Sequence, residues 1–431
     1  MTPRGYDSMF KGNAADGTAA GRYSRRRILR LAGAGLTMTA LGAGLTGCED
    51  DLSTGGEGSV PPPRTASPSA GTGTGTGDGK GTGDGQAPAP LWTKSVSAQT
   101  YGDNDELAAV DGVVIASGDP LAALEGANGG TRWSLEGGAV PGAPLLLGNG
   151  TLYLASGKYD GNVVGYAPGT GKETWRSHLG KEYRQPMPVA VDERQVYVIA
   201  EILEADHSSR TNVIAALDSR TGKVVWKEQR DLGTQQNGIH AAVRGRYLVY
   251  TDFKKNLTVR DTATGRQVWT QKTTKTSYGP FAVHEDLVIV PQGQRLQAFA
   301  LADGREKWSV EAGQFTTFSE PAVLDGVLYI ADSGRTLRAI EPATGKSVWR
   351  STSLKESGGQ VPRQFVRVGS TLYGATDLDE KGGVHAFDAA SGELRWTFND
   401  GSGDYHAWLV ATDGRNVFAL HGKKLHALHA A

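Results

Sequence analysis

The sequence is poor in cysteine, with one residue, Cys48, and it has only four methionines among 431 residues. A single cysteine excludes an intramolecular disulfide and any metal site built from several cysteines. Charge of either sign is not in excess, since 46 Asp plus Glu stand against 45 Lys plus Arg. The overall charge therefore predicts no nucleic-acid partner. Long helical patterns and long apolar runs are missing beyond residue 50.

Glycine, in contrast, is abundant, with 60 residues. The apolar runs are short and are interrupted by Gly, Asp and Thr, which is typical of many strands joined by tight turns. A chain of 431 residues is too long for one ordinary compact core, so it contains either several domains or structural repeats. The composition favours repeats.

The first 47 residues have the features of an export signal. Residues 24–30 read Ser-Arg-Arg-Arg-Ile-Leu-Arg and resemble a twin-arginine signal, with Arg25 and Arg26 as the pair. A weakly apolar stretch over 31–45 follows, and residues 45–48 read Leu-Thr-Gly-Cys and resemble a lipobox. We therefore predict a signal peptide over 1–47 and lipidation of Cys48, which anchors the chain in the membrane on its extracytoplasmic side.

Residues 48–90 are predicted to be a lipidated, disordered tether. They include three consecutive prolines at 61–63 and an alternating Gly-Thr run over 71–77. Such a composition offers too few apolar groups to offset the entropy of ordering the chain. As a flexible coil this segment would span roughly 35 Å, which is enough to hold a domain clear of a lipid surface.

From residue 91 onward the sequence repeats. Tryptophans recur at intervals of 39 to 51 residues, and a glycine stands four residues before each of the last seven. The fullest copy, residues 216–226, reads Ala-Leu-Asp-Ser-Arg-Thr-Gly-Lys-Val-Val-Trp. A continuously apolar strand signal precedes each repeat, such as Val113-Val114-Ile115. The series comprises Trp92, Trp133, Trp175, Trp226, Trp269, Trp308, Trp349 and Trp396.

Continuously apolar strands indicate sheets that are covered on both faces. A radial array of sheets provides this burial, and four strands fit into each unit of about forty residues. The sequence therefore predicts an all-β, eight-bladed β-propeller of four-stranded antiparallel blades over residues 91–431. Trp92 lacks upstream strands and the last unit lacks a terminal tryptophan, so we expect the N-terminal strand to close the ring.

The Ala-x-Asp-x-x-Thr-Gly-x-x-x-Trp pattern is similar to the tryptophan-docking repeat of pyrroloquinoline-quinone (PQQ)-like propellers. This resemblance covers essentially residues 91–431 and implies that the eight tryptophans are structural, docking one blade on the next. The group includes quinoprotein alcohol dehydrogenases and BamB-like scaffold lipoproteins. Trp408 lies outside the series, two residues after His406, and packs in the core or contacts a ligand.

A quinoprotein dehydrogenase resembling known members would carry a vicinal disulfide, which one cysteine excludes. The nine histidines show no zinc-ligand spacing, and His421, His426 and His429 are interpreted as strand or tail residues. We therefore predict that the chain is not an enzyme. We also predict that it needs neither a metal nor a cofactor, including PQQ. It is expected to be a monomeric, extracytoplasmic scaffold for a protein or peptide. A PQQ-dependent oxidoreductase and a ligand-binding sensor remain the alternatives.

Overall fold

The computed structural model describes residues 85–98, 107–138, 140, 144–203, 209–232, 240–251, 256–272 and 280–430. The export signal with Arg25 and Arg26, the lipidation site Cys48 and the tether up to residue 84 lie outside these ranges. The predictions made for them therefore stay predictions. The folded part belongs to one compact unit that runs from Gly81 to Ala431.

The described residues form eight antiparallel sheets of four strands each, one of which has a fifth strand added at its edge. In blades 1 to 4 the strands, from first to fourth, are β3 (Leu107–Val110), β4 (Val113–Ala116), β5 (Leu121–Glu125) and β6 (Thr131–Leu135); β7 (Leu146–Gly148), β8 (Thr151–Ala155), β9 (Val163–Tyr166) and β10 (Glu173–Arg176); β11 (Tyr183–Val191), β12 (Gln195–Leu203), β13 (Ser209–Asp218) and β14 (Val224–Leu232); and β15 (Ala241–Arg244), β16 (Tyr247–Thr251), β17 (Leu257–Asp261) and β18 (Gln267–Gln271).

Blades 5 to 8 follow the same order along the chain, except that the fourth strand of blade 8 comes from the N-terminal part. Their strands are β19 (Ala282–His284), β20 (Leu287–Gln292), β21 (Arg295–Ala300) and β22 (Glu306–Glu311); β23 (Ala322–Leu324), β24 (Val327–Ala331), β25 (Leu337–Ile340) and β26 (Ser347–Ser351); β27 (Pro362–Val368), β28 (Thr371–Thr376), β29 (Val384–Asp388) and β30 (Leu394–Phe398); and β31 (Trp408–Thr412), β32 (Asn416–His421), β33 (Lys424–His429) and β2 (Trp92–Ser95). The helix α1 (Ser353–Glu356) lies between blades 6 and 7.

The aspartate and glycine of the repeat motif build the turn between the third and fourth strands. In blade 3, the Asp218 carboxylate accepts hydrogen bonds from the backbone N–H groups of Arg220 and Thr221 and from the Thr221 hydroxyl. Gly222 then takes a φ of +70°, a left-handed conformation that glycine adopts without steric cost. Asp261 and Asp388 cap the equivalent turns of blades 4 and 7 in the same way.

The motif tryptophans join each blade to the next. Trp226 of blade 3 donates its indole N–H to the carbonyl of Thr262 in blade 4 at 2.7 Å. Its ring lies against Gly265, where an added Cβ would come within 2.5 Å of the ring, so only glycine permits this approach. The same donation to the next blade is made by Trp92, Trp133, Trp175, Trp269, Trp308 and Trp349.

The apolar core is divided among the interfaces between blades. The second strand of each blade is almost fully buried, as in Val113–Ala116 and Leu328–Ala331. Separate buried clusters link each blade with its successor, and one of them joins blade 8 to blade 1 through Phe418 and Val114. The predicted eight-bladed propeller is thus confirmed.

Ring closure is achieved by the strand that carries the first tryptophan. β2 pairs antiparallel with β33, with Trp92 opposite Ala427 and Ser95 opposite Lys424. The backbone N–H of Val96 extends the ladder by donating to the carbonyl of Lys423 at 2.9 Å. Because the first strand region completes the last blade, the predicted closure is confirmed.

A short strand, β1 (Gly85–Gln86), was not predicted. It pairs parallel with β30 at the outer edge of blade 7, with Gly85 opposite Trp396. Ala87 packs against the cluster between blades 7 and 8. Two residues are too few for a periodic pattern to reveal a strand, and the surrounding Gly, Ala and Pro residues mask it.

Candidate functional site

The strand order gives the propeller two faces of different character. First-to-second and third-to-fourth strand turns lie on one face and are tight, and most of them contain a glycine. Second-to-third strand turns and the connections between blades lie on the opposite face, here called the loop face. Its described residues include 96–98, 117–120, 156–162, 177–182, 293–294, 312–321, 332–336, 352–361, 377–383, 399–407 and 422–423.

Among the described residues of the loop face, three large aromatic side chains are exposed to solvent, and we call them the rim aromatics: Tyr159, Phe315 and Tyr405. Phe315 is 86% exposed and Tyr159 is 62% exposed. Both have a positive φ, +60° for Phe315 and +53° for Tyr159, which is uncommon for a bulky residue and costs conformational free energy. The turns that hold them are fixed by backbone hydrogen bonds, such as that from Tyr159 to the carbonyl of Ser156.

A buried group of polar and aromatic side chains lies at the loop-face end of blade 8. We call it the closure cluster, formed by Asp400, Ser402, Trp408, His421 and His426. Trp408 begins β31 and His421 ends β32, and the two residues are directly paired across the strands. Their rings stack with centroids 4.2 Å apart and an interplanar angle of 7°.

The carboxylate of Asp400 is shared by two histidines. Its Oδ2 lies 3.2 Å from Nδ1 of His421 and 3.6 Å from Nε2 of His426. The other ring nitrogen of His426, Nδ1, is 2.9 Å from the hydroxyl of Thr93 on the closing strand β2. The side chains of Asp400, His421 and His426 are all at least 95% buried. The cluster therefore fills the loop-face end of the blade in which the ring closes.

The electrostatics keep the carboxylate charged. Burial raises the pKa of Asp400, but hydrogen bonds from the backbone and hydroxyl of Ser402 and from His421 outweigh burial, so the pKa lies below its usual value. Burial lowers the pKa of His426, although Asp400 acts in the opposite direction. Burial also lowers the pKa of His406, with the nearby His421 contributing. An ionised carboxylate beside an imidazole is a common arrangement for orienting a base.

The structure brings only one of the sequence candidates into this cluster. Trp408, predicted to pack in the core or contact a ligand, is fully buried and forms one wall of it. Asp400, His421 and His426 were not predicted as site residues. The two histidines lie inside apolar strands, where a histidine is interpreted as a core residue, and Asp400 lies in a connection between strands. The strand pairing that places His426 next to Ala419 and His421 next to Trp408 is not visible as a motif.

PQQ enzymes of the resembled type need a vicinal disulfide and the chain has one cysteine. Among the described side chains, no group of three or more His, Cys, Asp or Glu residues has a geometry that holds a metal ion. The same ranges contain no helix with the length and hydropathy of a membrane span.

Comparison with known proteins gives matches of two kinds. The family model described as outer membrane protein assembly factor BamB matches residues 84–205 and 210–376, which is more than half of the chain. Among solved structures, the quinohemoprotein alcohol dehydrogenase of Comamonas testosteroni superposes with a TM-score of 0.53 at 11% identity, covering 79% of this chain and 76% of that one. At this identity the superposition shows a shared fold.

Two curated relatives are enzymes by name. Tetrathionate hydrolase of Acidithiobacillus ferrooxidans is 27% identical over 284 residues, which are 58% of this chain and 52% of that protein. Polyvinylalcohol dehydrogenase of a Sphingopyxis species is 23% identical over 218 residues, 44% of this chain and 31% of that protein. The chain thus spans about half the length of the first relative and about a third of the second.

These names contradict the prediction that the chain is not an enzyme. That prediction relied on the missing hallmarks of one enzyme type, above all the vicinal disulfide, and a propeller that uses other acid–base groups needs none of them. The family itself is shown by the model match over both segments. With its eight blades, its docking tryptophans and this match, the chain belongs to the BamB family of PQQ-like β-propellers.

Proposed function

We propose that the chain is an exported, lipid-anchored propeller that docks an extracytoplasmic protein or peptide on its loop face. The rim aromatics carry this proposal. Aromatic side chains dominate binding energy at protein interfaces, and Tyr159 and Phe315 are held exposed at positive φ rather than folded into the core. Strain that persists on a surface is typical of functional positions.

The spacing of the rim aromatics around the ring suggests what the partner looks like. Tyr159 belongs to blade 2, Phe315 lies between blades 5 and 6, and Tyr405 lies between blades 7 and 8. A partner that contacts all three must extend across the face instead of entering a single blade. Membership in a family described as an outer membrane assembly factor supports both a protein partner and an extracytoplasmic location.

Site-specific photo-crosslinking tests the docking face. A photoreactive phenylalanine analogue at Phe315 or Tyr405 is expected to give a discrete crosslinked species in cells, because these side chains would touch the partner. The Tyr159→Ser substitution combined with the analogue at Phe315 should reduce its yield several-fold. The matched control is Val348, which is 59% exposed on the outer strand β26. Equal crosslinking from Val348 would contradict docking on the loop face.

Substitutions in the leader test export and anchoring. Cys48→Ser is expected to release the protein from membranes, because the thiol is the proposed acylation site. Replacing Arg25 and Arg26 together by lysine should stop export, because the resembled signal requires paired guanidinium groups. Fractionation and intact mass measure both effects. A Cys48→Ser protein that stays in the membrane fraction with its leader uncleaved would refute the lipoprotein assignment.

A second candidate function is enzymatic. It is favoured by the names of the two curated relatives, a hydrolase and a dehydrogenase, and by the Asp400–His421 pair in the closure cluster. A carboxylate that fixes one ring nitrogen of a histidine leaves the other nitrogen to act as a base. The Asp400–His421 pair lies at the loop-face end of blade 8, on the same face as the rim aromatics.

A further inference from the structure

Three buried nitrogen atoms of the closure cluster have no hydrogen-bond partner among the described residues: Nε1 of Trp408, Nε2 of His421 and Nε2 of His426. Nε2 of His426 lies 3.6 Å from the Asp400 carboxylate, which leaves the nitrogen atoms of Trp408 and His421. They belong to rings that stack 4.2 Å apart and almost parallel. Buried polar atoms in folded proteins are nearly always paired, so an unpaired atom requires an explanation. Two such atoms on stacked rings point to a small polar group that binds between blades 7 and 8.

The hydrogen-bonding character of both atoms follows from their surroundings. The indole Nε1–H is a donor and nothing else. The Asp400 carboxylate, 3.2 Å from Nδ1 of His421, only accepts, so Nδ1 carries the proton. In the neutral imidazole, Nε2 then has the free lone pair and accepts. The site therefore offers one donor and one acceptor.

This pair of functions selects the chemical class of the ligand. A carboxylate or phosphate has acceptor oxygens alone, would leave the lone pair of His421 unmatched and would be repelled by Asp400. An ammonium group donates but cannot accept from Trp408. A hydroxyl group does both: its oxygen accepts from the indole, and its proton is donated to the imidazole.

We propose that Trp408 and His421 bind the hydroxyl group of water or of a small alcohol, and that His421 is the base that removes its proton. This inference rests on the second candidate function. His421 takes the hydroxyl proton while the oxygen bonds to an electrophilic atom of a second substrate, and the bond from that atom to its leaving group breaks. His421 then returns the proton to the leaving group. Asp400 acts as a positioning residue for the imidazole and balances its transient charge.

The connection over residues 399–407 provides the approach to this site. It carries Asp400 and Ser402 as well as the exposed Tyr405 and the half-buried His406. Gly401 and Gly403 within it have positive φ, and an added Cβ at either would meet no heavy atom within 4 Å. Both glycines are exposed, so entry of a small hydroxyl compound requires a displacement of this exposed connection.

Nuclear magnetic resonance on the exported chain carrying Cys48→Ser tests the binding step with methanol as the probe. The methyl protons of methanol are expected to give a nuclear Overhauser effect to the Trp408 indole proton, whereas acetate at the same concentration gives none. His421→Phe keeps the ring stacking and should reduce the methanol effect at least threefold. Histidine ¹⁵N shifts should show the proton of His421 on Nδ1 and its loss from that position in Asp400→Asn. No methanol effect, or a proton on Nε2 in the unsubstituted chain, would overturn the hydroxyl site.

Hydrolysis of 4-nitrophenyl acetate tests the base separately. If His421 is the base, His421→Gln should lower the rate about 100-fold, within the range for loss of a general base, and Asp400→Asn should lower it less. The control is His429→Gln, an exposed histidine whose loss should leave the rate unchanged. Methanol binding without His421-dependent hydrolysis would support the hydroxyl site, overturn the base role and weaken the enzymatic candidate.

Discussion

Replacing residues 91–97 with a Gly/Ser sequence of equal length is expected to destabilise the whole propeller, not blade 8 alone. The replacement removes the four strand pairings of β2 with β33 and the packing of Trp92 against the cluster that joins blades 8 and 1. Loss of a large aromatic side chain from a core costs about 3–5 kcal/mol. It also opens a sheet edge that the closed ring had covered.

Urea unfolding followed by tryptophan fluorescence measures this effect. The transition should remain single and move to much lower urea, because every blade is supported by two neighbours only while the ring is closed. The matched control replaces residues 85–90, where β1 adds only two paired residues to the edge of blade 7, and should change stability far less. Two separate transitions in the 91–97 variant would show that the blades unfold independently.

Much of this architecture could be predicted from the sequence because it repeats. A tryptophan and a glycine at a fixed spacing specify the same contact at each junction, as Trp226 on Gly265 and Trp308 on Gly345 show. The continuously apolar second strands, such as Leu152–Ala155, correctly indicated sheets covered on both faces. Ring closure followed from the incomplete units at the two ends.

The closure cluster could not be predicted in the same way because it occurs once. Asp400 comes from a connection, His421 and His426 from two strands, and Thr93 from more than 300 residues earlier in the chain. These residues come together only when the ring closes, so they form no motif with a fixed spacing along the sequence. The prediction of a non-catalytic chain considered only familiar motifs, and the names of two relatives, a hydrolase and a dehydrogenase, contradict it.

A buried histidine in blade 7 should make the protein unstable in acid. His385 on β29 is 1% exposed, with Nδ1 2.8 Å from the hydroxyl of Thr397 and Nε2 2.9 Å from the carbonyl of Gln360. The carbonyl accepts, so Nε2 carries the proton and Nδ1 accepts from Thr397. Burial lowers the pKa of His385 from 6.5 to about 4, against a smaller opposite effect of the Gln360 bond.

The direction of the pH effect follows from comparing the two states. Above pH 6.5 the histidine is neutral both folded and unfolded, so it contributes no pH dependence. Between pH 6.5 and about 4 His385 is protonated in the unfolded chain but not in the folded chain. The free energy of unfolding therefore falls as the pH falls. A shift of this size corresponds to a loss of roughly 3 kcal/mol across that window.

Urea midpoints measured from pH 8 to pH 4 test this prediction. His385→Gln should have lower stability at pH 8, because the buried bonds to Thr397 and Gln360 are disturbed, but a flatter profile between pH 6.5 and 4. His429→Gln, at an exposed position on the last strand, is the control and should keep the slope of the unsubstituted chain, since all other titrating groups are shared. Parallel profiles for the unsubstituted chain and His385→Gln would mean that His385 takes up its proton in the folded state. Any acid sensitivity would then come from other groups, among them Asp400 and His426 at the ring closure.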